Sequence, residues 1–228
     1  MKKQILLIAS IALSTLAIAQ VKPSFGIRAG VSSSGMRGDA AGNIKNIAGF
    51  TNGIINTSQR TGFFAGTYAA IPFNNLISVE PALYYSQKGY GLKGDYTVKN
   101  AGFLGTNAKA RLNTQYIDLP VVIIDLPVVI KATISGFQLF AGPQISYLIH
   151  ADLHTTAGAL GINLLNAKTN ATQQFNRWNE GVTAGIGYQF TNGINVMAAY
   201  DYGLSKADAN KNIQAYSQSF KAGIGVKF

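Results

Sequence analysis

The chain has 228 residues, a formal net charge of +10, and only 12% charged residues, about half the ~25% of an ordinary soluble domain. Hydrophobic residues make up 47%, which excludes a disordered, charge-swollen chain. Cysteine is absent, which excludes a disulfide scaffold, a thiolate zinc site and a cysteine nucleophile.

Residues 1–19 read as a signal peptide. Lys2 and Lys3 form a basic n-region, Ile5 to Ala19 an apolar h-region, and Ala17-Ile18-Ala19 a small-x-small cleavage signal. The apolar run is too short for the ~20 residues of a spanning helix. Residues 20–228 are then one domain, and nothing later in it is apolar for 18 consecutive residues.

That domain alternates with period 2 in segment after segment, as strands with two different faces do. Phe25, Ile27, Ala29 and Val31 oppose Gly26, Arg28 and Gly30. Residues 60–71 are strand-like, but the adjacent Phe63 and Phe64 leave their phase open. Ile77, Val79, Pro81, Leu83 and Tyr85 oppose Ser78, Glu80, Ala82 and Tyr84. Ile117, Leu119, Val121 and Ile123 oppose Asp118 and Pro120. Phe137, Leu139, Ala141, Ile145, Tyr147 and Ile149 oppose Gln138, Gly142, Gln144 and Ser146. Val182 to Phe190, Ile194 to Tyr202 and Phe220 to Phe228 repeat the pattern, with Asp201 and Lys221 on the small or polar phase.

These are eight strands of about 10 to 15 residues, where ~9–11 cross a bilayer when tilted. Short connectors fall at 72–75, 133–136 and 191–193, and long ones at about 34–59, 91–113, 151–176 and 205–215. The expected fold is all-β: an eight-stranded antiparallel up-and-down transmembrane β-barrel with four long extracellular loops and three short periplasmic turns. Arg28, Glu80, Asp118, Asp201 and Lys221 all take the small/polar phase, which avoids the ~2–4 kcal/mol of a lipid-facing Arg or Lys at midplane. They predict a structural ion-pair network in the lumen. A narrow gated ion path is the functional alternative. Tyr85, Tyr147, Trp178, Tyr188, Tyr200 and Phe228 suit interfacial aromatic girdles. Glycines on the inner phase suit a lumen only just wide enough for side chains, so the barrel should be plugged by its own residues.

The phrases "AAIPFNNLISVEPALYYSQKGY" at 69–90, "YIDLPVV" at 116–122, "FQLFAGPQISYLI" at 137–149, "GVTAGIGYQFTNGINVMAAYDYGL" at 181–204 and "SFKAGIGVKF" at 219–228 resemble the outer-membrane β-barrel "porin family" group related to OmpX and the OmpA membrane domain. The resemblance spans the domain and implies an outer-membrane location and insertion by the β-barrel assembly machinery. Ile224, Val226 and the terminal Phe228 match that group's C-terminal assembly signal. The shared residues are strand and turn residues, so they specify fold far better than function.

One feature departs from that pattern. Residues 117–123 are followed at once by an identical copy at 124–130. Seven is odd, so a regular strand continued through both copies turns the second onto the other face, with Asp125 toward lipid and Ile124, Leu126 and Val128 toward the lumen. The expectation is that one copy keeps the membrane register, while the other is absorbed by a bulge or extends the strand beyond the bilayer.

Chemistry is sparse. His150, Asp152 and His154 share a face near a strand end and could be metal ligands or supply a general base, but no further ligand or nucleophile accompanies them. The expectation is therefore no enzyme, no metal and no cofactor. Lys88, Lys93, Lys99, Lys109 and Arg111, with Asp95 the sole acid among them, mark a cationic second outer loop that either contacts lipopolysaccharide phosphates or is simply solvated. The expected partners are outer-membrane lipid, lipopolysaccharide and the assembly machinery. Nucleic acid is not expected, and the barrel should be a monomer. The leading function is a non-enzymatic envelope-structural or surface-interaction barrel, with a small-solute or ion channel as the alternative and an enzyme using His150 as a second.

Overall fold

The computed structural model describes residues 22–38, 53–97, 111–159, 162–170, 172–207 and 214–228. Side chains are described in these segments except at 53–58, 91–97, 111–123, 153–159, 162–169 and 174. Nine strands follow in chain order: β1 (Ser24–Gly38), β2 (Gly53–Pro72), β3 (Ile77–Thr97), β4 (Arg111–Ile134), β5 (Phe137–Ala159), β6 (Ile162–Asn170), β7 (Trp178–Gln189), β8 (Ile194–Gly203) and β9 (Ala215–Lys227). Each pairs antiparallel with its neighbour. The circuit closes where β1 meets β9, from Gly26 opposite Lys227 to Gly38 opposite Ala215. Phe25 and Phe228 exchange main-chain hydrogen bonds of 3.3 and 2.9 Å at that seam. Eight strands form the closed antiparallel wall. The ninth, β6, pairs with the far half of β5 from Asp152–Asn170 to Ala159–Ile162. The third long connector is therefore partly a hairpin continuing the wall, not the plain loop expected at 151–176.

The short ends are set by turn chemistry. Asn74 Oδ1 accepts from the Leu76 and Ile77 amides at 2.8 and 2.7 Å, the local side-chain-to-backbone bond that favours Asn in turns. Ser135 and Gly136 both have positive φ, 50° and 88°, as a two-residue hairpin with the strand twist requires. A Cβ on Gly136 would also lie 2.8 Å from the Gln189 carbonyl oxygen, so the turn depends on glycine twice over.

Face selection follows parity. Ile130, Leu139 and Phe220 turn outward at 63%, 65% and 52% exposure. So broad an apolar exterior is an aggregation hazard in water, but the expected surface against acyl chains. The phase left open at 60–71 resolves with Phe63 outside and Phe64 inside. Phe64 sits opposite Gly30, and a Cβ on Gly30 or Gly223 would come within 2.8 or 2.7 Å of its ring. Phe140 likewise fills the space left by Gly185, where a Cβ would lie 2.5 Å from its Cζ. Inward glycines on one strand thus make room for inward aromatics on the next, which closes a lumen of this size.

The tandem repeat is resolved by the tertiary structure. In the second copy Asp125, Pro127 and Val129 are buried, while Leu126, Val128 and Ile130 are exposed. The second copy therefore holds the membrane register. It directly precedes the Lys131–Ile134 stretch and the short turn. The first copy lies farther along the 24-residue β4, well beyond the ~9–11 residues a bilayer needs. Pairing with β3 keeps one register from Lys93–Tyr116 to Ile77–Ala132. The irregularity sits on the other side, between Val122 and Ile123, where β5 carries Ile149 as an extra residue. The bulge thus lies in the neighbouring strand, opposite the junction of the copies.

Candidate functional site: an ionised lumen in two tiers

Alternation sends every charged side chain described within the membrane-length part of the wall to the inside, where two clusters form. Nearer the short turns, Arg28 on β1 donates from Nη1 to Glu80 Oε1 at 2.9 Å and to the Tyr84 hydroxyl at 2.7 Å. Its Nε donates to Asn195 Oδ1 at 3.2 Å, and its guanidinium lies 4.2 Å from the centre of the Tyr68 ring. Lys131 on β4 donates to the other oxygen of Glu80. Asn195 in turn donates to the Tyr68 hydroxyl at 2.8 Å.

The second cluster lies toward the long loops and centres on Asp125, which is fully buried. Its carboxylate accepts from Lys88 at 2.9 Å, Lys221 at 3.0 Å, Ser86 at 2.7 Å, Ser146 at 2.6 Å and Gln144 at 3.3 Å. Asp201 bridges the same two lysines, at 3.2 Å to Lys88 and 2.7 Å to Lys221, and accepts from Thr183 at 2.9 Å. Two ammonium groups thus alternate with two carboxylates, with hydroxyls and an amide on the remaining lone pairs, the arrangement a buried ionic cluster needs to offset its desolvation. Between the tiers lies an apolar layer of Val129, Phe140 and Ala199 with Met197 against it. Phe64 and Tyr84 meet edge to face at 5.5 Å in the same region. The space left between the tiers is about 20 Å³.

Four of the five acids and bases picked from the sequence, Arg28, Glu80, Asp201 and Lys221, are buried in this lumen. Asp118 pairs through its backbone with Gly91 and His154, and its side chain lies outside the described residues. The carboxylate that β4 supplies is Asp125, since the second copy holds the register. Lys88 corrects the cationic-loop reading. The sequence places it at the start of the second outer loop, but β3 runs on to Thr97, so Lys88 lies within the wall on the inward phase, 8% exposed. Its parity with Glu80, Tyr84 and Ser86 was the available signal. Alternation alone does not assign Lys131, because it follows the repeat and its face depends on which copy is in register. Lys93 and Arg111 pair through their backbones in β3 and β4, with side chains outside the described residues, as are Lys99 and Lys109 altogether.

Ile224, Val226 and Phe228 point outward at the β9 end. His150 and Asp152 form a pair, Nε2 to Oδ1 at 2.7 Å, with the imidazole side chain 45% exposed. The side chain of His154 lies outside the described residues. Among the described residues no group of three metal-ligating side chains occurs.

Aromatics ring both ends. Toward the long loops, Tyr147 and Trp178 stack edge to face at 4.9 Å, Arg177 donates to the Tyr147 hydroxyl at 3.4 Å, and Arg37 lies 3.7 Å from the Tyr202 ring centre. Toward the short turns, Phe137, Tyr188 and Phe190 stack in series at 5.6 and 4.8 Å. Such belts mark the two interfaces of a membrane barrel.

The Neisserial surface protein A structure is 14% identical and overlays with a TM-score of 0.46, covering 91% of this chain and 99% of that one. The attachment invasion locus protein Ail of Yersinia pestis is also 14% identical, with a TM-score of 0.44 and coverages of 91% and 99%. The outer membrane protein OprG of Pseudomonas aeruginosa is 15% identical, with a TM-score of 0.39 and coverages of 91% and 97%. No curated protein matches the sequence. Residues 18–209 match the family described as outer membrane protein beta-barrel domain. The chain belongs to that family.

Proposed function

We propose that this outer-membrane barrel is non-enzymatic and non-conducting, and that it serves envelope structure or surface interaction through its long loops. The observation that carries the reading is the filled lumen. Seven ionisable side chains, Arg28, Glu80, Lys88, Asp125, Lys131, Asp201 and Lys221, are each no more than 8% exposed, and an apolar layer crosses between the tiers. Arg28, Glu80, Asp201 and Lys221 are read as part of a structural ionic network, with Asp125 in the place expected of Asp118. Residues 1–19 are read as a cleaved signal peptide, and Ile224, Val226 and Phe228 as the signal recognised by the assembly machinery. Lys99 and Lys109, with Lys93 and Arg111 at the far ends of β3 and β4, remain the cations suited to lipopolysaccharide phosphates. The barrel is read as a monomer.

Planar-bilayer recording of the purified protein tests the central reading. Absence of discrete steps is expected. Reproducible ion-selective steps would favour the small-solute or ion channel instead. The reading that uses His150 as a general base predicts a hydrolytic or acyl-transfer activity that His150→Ala abolishes. Proton abstraction needs a nucleophile within hydrogen-bond reach, and the described partner of His150 is a carboxylate.

A further inference from the structure

The two tiers differ in charge balance. Around Asp125 two buried cations face two buried carboxylates. In the other tier Arg28 and Lys131 share the single carboxylate of Glu80, and the further hydrogen-bond partners of Arg28 are neutral, Asn195 and Tyr84. One buried positive charge is left over there. An uncompensated buried charge is costly.

The surplus faces a space. A cavity of about 200 Å³ opens at the short-turn mouth, lined among others by Ser24, Glu80, Lys131, Gln138, Gln189 and Lys227. Lys131 is 4% exposed and has Glu80 as its one hydrogen-bond acceptor among the described residues. An ammonium carries three donors. The Tyr68 and Phe140 rings lie 5.8 and 5.7 Å from its nitrogen, near the outer limit of a useful cation–π contact. Gln138 is 8% exposed, and its amide opens onto the same cavity. A buried ammonium with spare donors, an amide open to the cavity and a net positive charge therefore line one space, and Lys227 stands at its rim.

We infer that the short-turn mouth binds a small free oxyanion of the phosphate or sulfate class, held by Lys131 and Gln138 and neutralising the surplus charge. Such an ion accepts several charge-assisted hydrogen bonds at once, and the cavity exceeds its volume. Above the site the Phe64, Tyr84 and Phe140 rings close the lumen, so it is a dead-end vestibule, distinct from an ion path.

The test is titration of the purified protein in zwitterionic micelles with inorganic phosphate, with sodium chloride at matched ionic strength as reference. The readout is the side-chain amide resonances of Gln138 and Gln189. Saturable shifts of the Gln138 amide with phosphate, absent with chloride, are expected. Lys131→Gln should weaken phosphate binding about tenfold or more, and Gln138→Leu about threefold to tenfold, as loss of charged and neutral hydrogen bonds predicts. Arg177→Gln, at the opposite rim, should leave binding unchanged. The wild-type titration decides the matter even if either vestibule variant fails to fold. A non-saturating response, equal shifts with chloride, or equal weakening by Arg177→Gln would overturn the site. A response to dihexanoylphosphatidylglycerol without one to phosphate would overturn the free-ion assignment in favour of a lipid headgroup.

Discussion

Asp125 is the most demanding position in the molecule, and Asp125→Asn isolates why. The change keeps the shape and the capacity to bond Ser86 and Ser146, now at 2.7 and 2.6 Å, but removes the charge. Lys88 and Lys221 are then left with Asp201 alone, at 3.2 and 2.7 Å. Two buried ammonium groups would share one carboxylate, and removing one member of a buried ionic cluster costs about 3–5 kcal/mol. Asp125→Asn combined with Lys221→Met restores neutrality with an apolar group of similar length, and should recover at least half of that loss, since apolar replacement of a complete buried pair is often near neutral. The assay is urea unfolding from micelles, followed by the fluorescence of Trp178, the only tryptophan in the chain, and by the heat-dependent gel mobility of folded barrels. Asp118→Asn is the internal control. If Asp118→Asn carries the large loss while Asp125→Asn stays within about 0.5 kcal/mol of the parent, the first copy of the repeat holds the membrane register and the reasoning is refuted.

The repeat permits a cleaner experiment. Because the copies are identical, deleting either one yields the same chain, with the surviving copy directly before Lys131. That chain should fold, lie within about 1 kcal/mol of the parent and retain its sensitivity to Asn at the surviving Asp, because wall-top and loop shortening is tolerated cheaply. A chain that no longer shifts on gels without heating would refute this. Gly223→Val should abolish folding, since its Cβ would lie 2.7 Å from Phe64 Cζ and 2.9 Å from the Ala29 carbonyl oxygen. Recovery of the folded band with Phe64→Ala in the same chain would identify the ring as the obstacle. Val128→Arg places a charge on the lipid face and should cost about 2–4 kcal/mol if near midplane, measured by the same unfolding curves. A loss below about 0.5 kcal/mol would place that face in water.

Parity carried most of this architecture from the residues alone. Strands whose alternate side chains meet acyl chains on one side and a crowded interior on the other can be written only as greasy and small-or-polar phases. Arg28, Glu80, Asp201 and Lys221 follow from that constraint, as do the closed wall and the sorting of short turns to one end. Parity is local, however, and fails where two phases are equally good. Phe63 and Phe64 could exchange roles until Gly30 and Gly223, distant in sequence, left room for only one ring. An odd-length repeat offers two registers of equal hydrophobic merit. The choice fell to the copy nearest the short turn, where Lys131 must find Glu80 and Asp125 must find Lys88 and Lys221 across the lumen. Lys88 shares the parity of Glu80, Tyr84 and Ser86, but in sequence it also heads a run of lysines that reads as one cationic loop, and only the pairing of β3 as far as Thr97 places it in the wall. Which charges share a tier, and hence which tier is left with a surplus, depends on distances across a closed cylinder. Those exist only once the first strand has met the last.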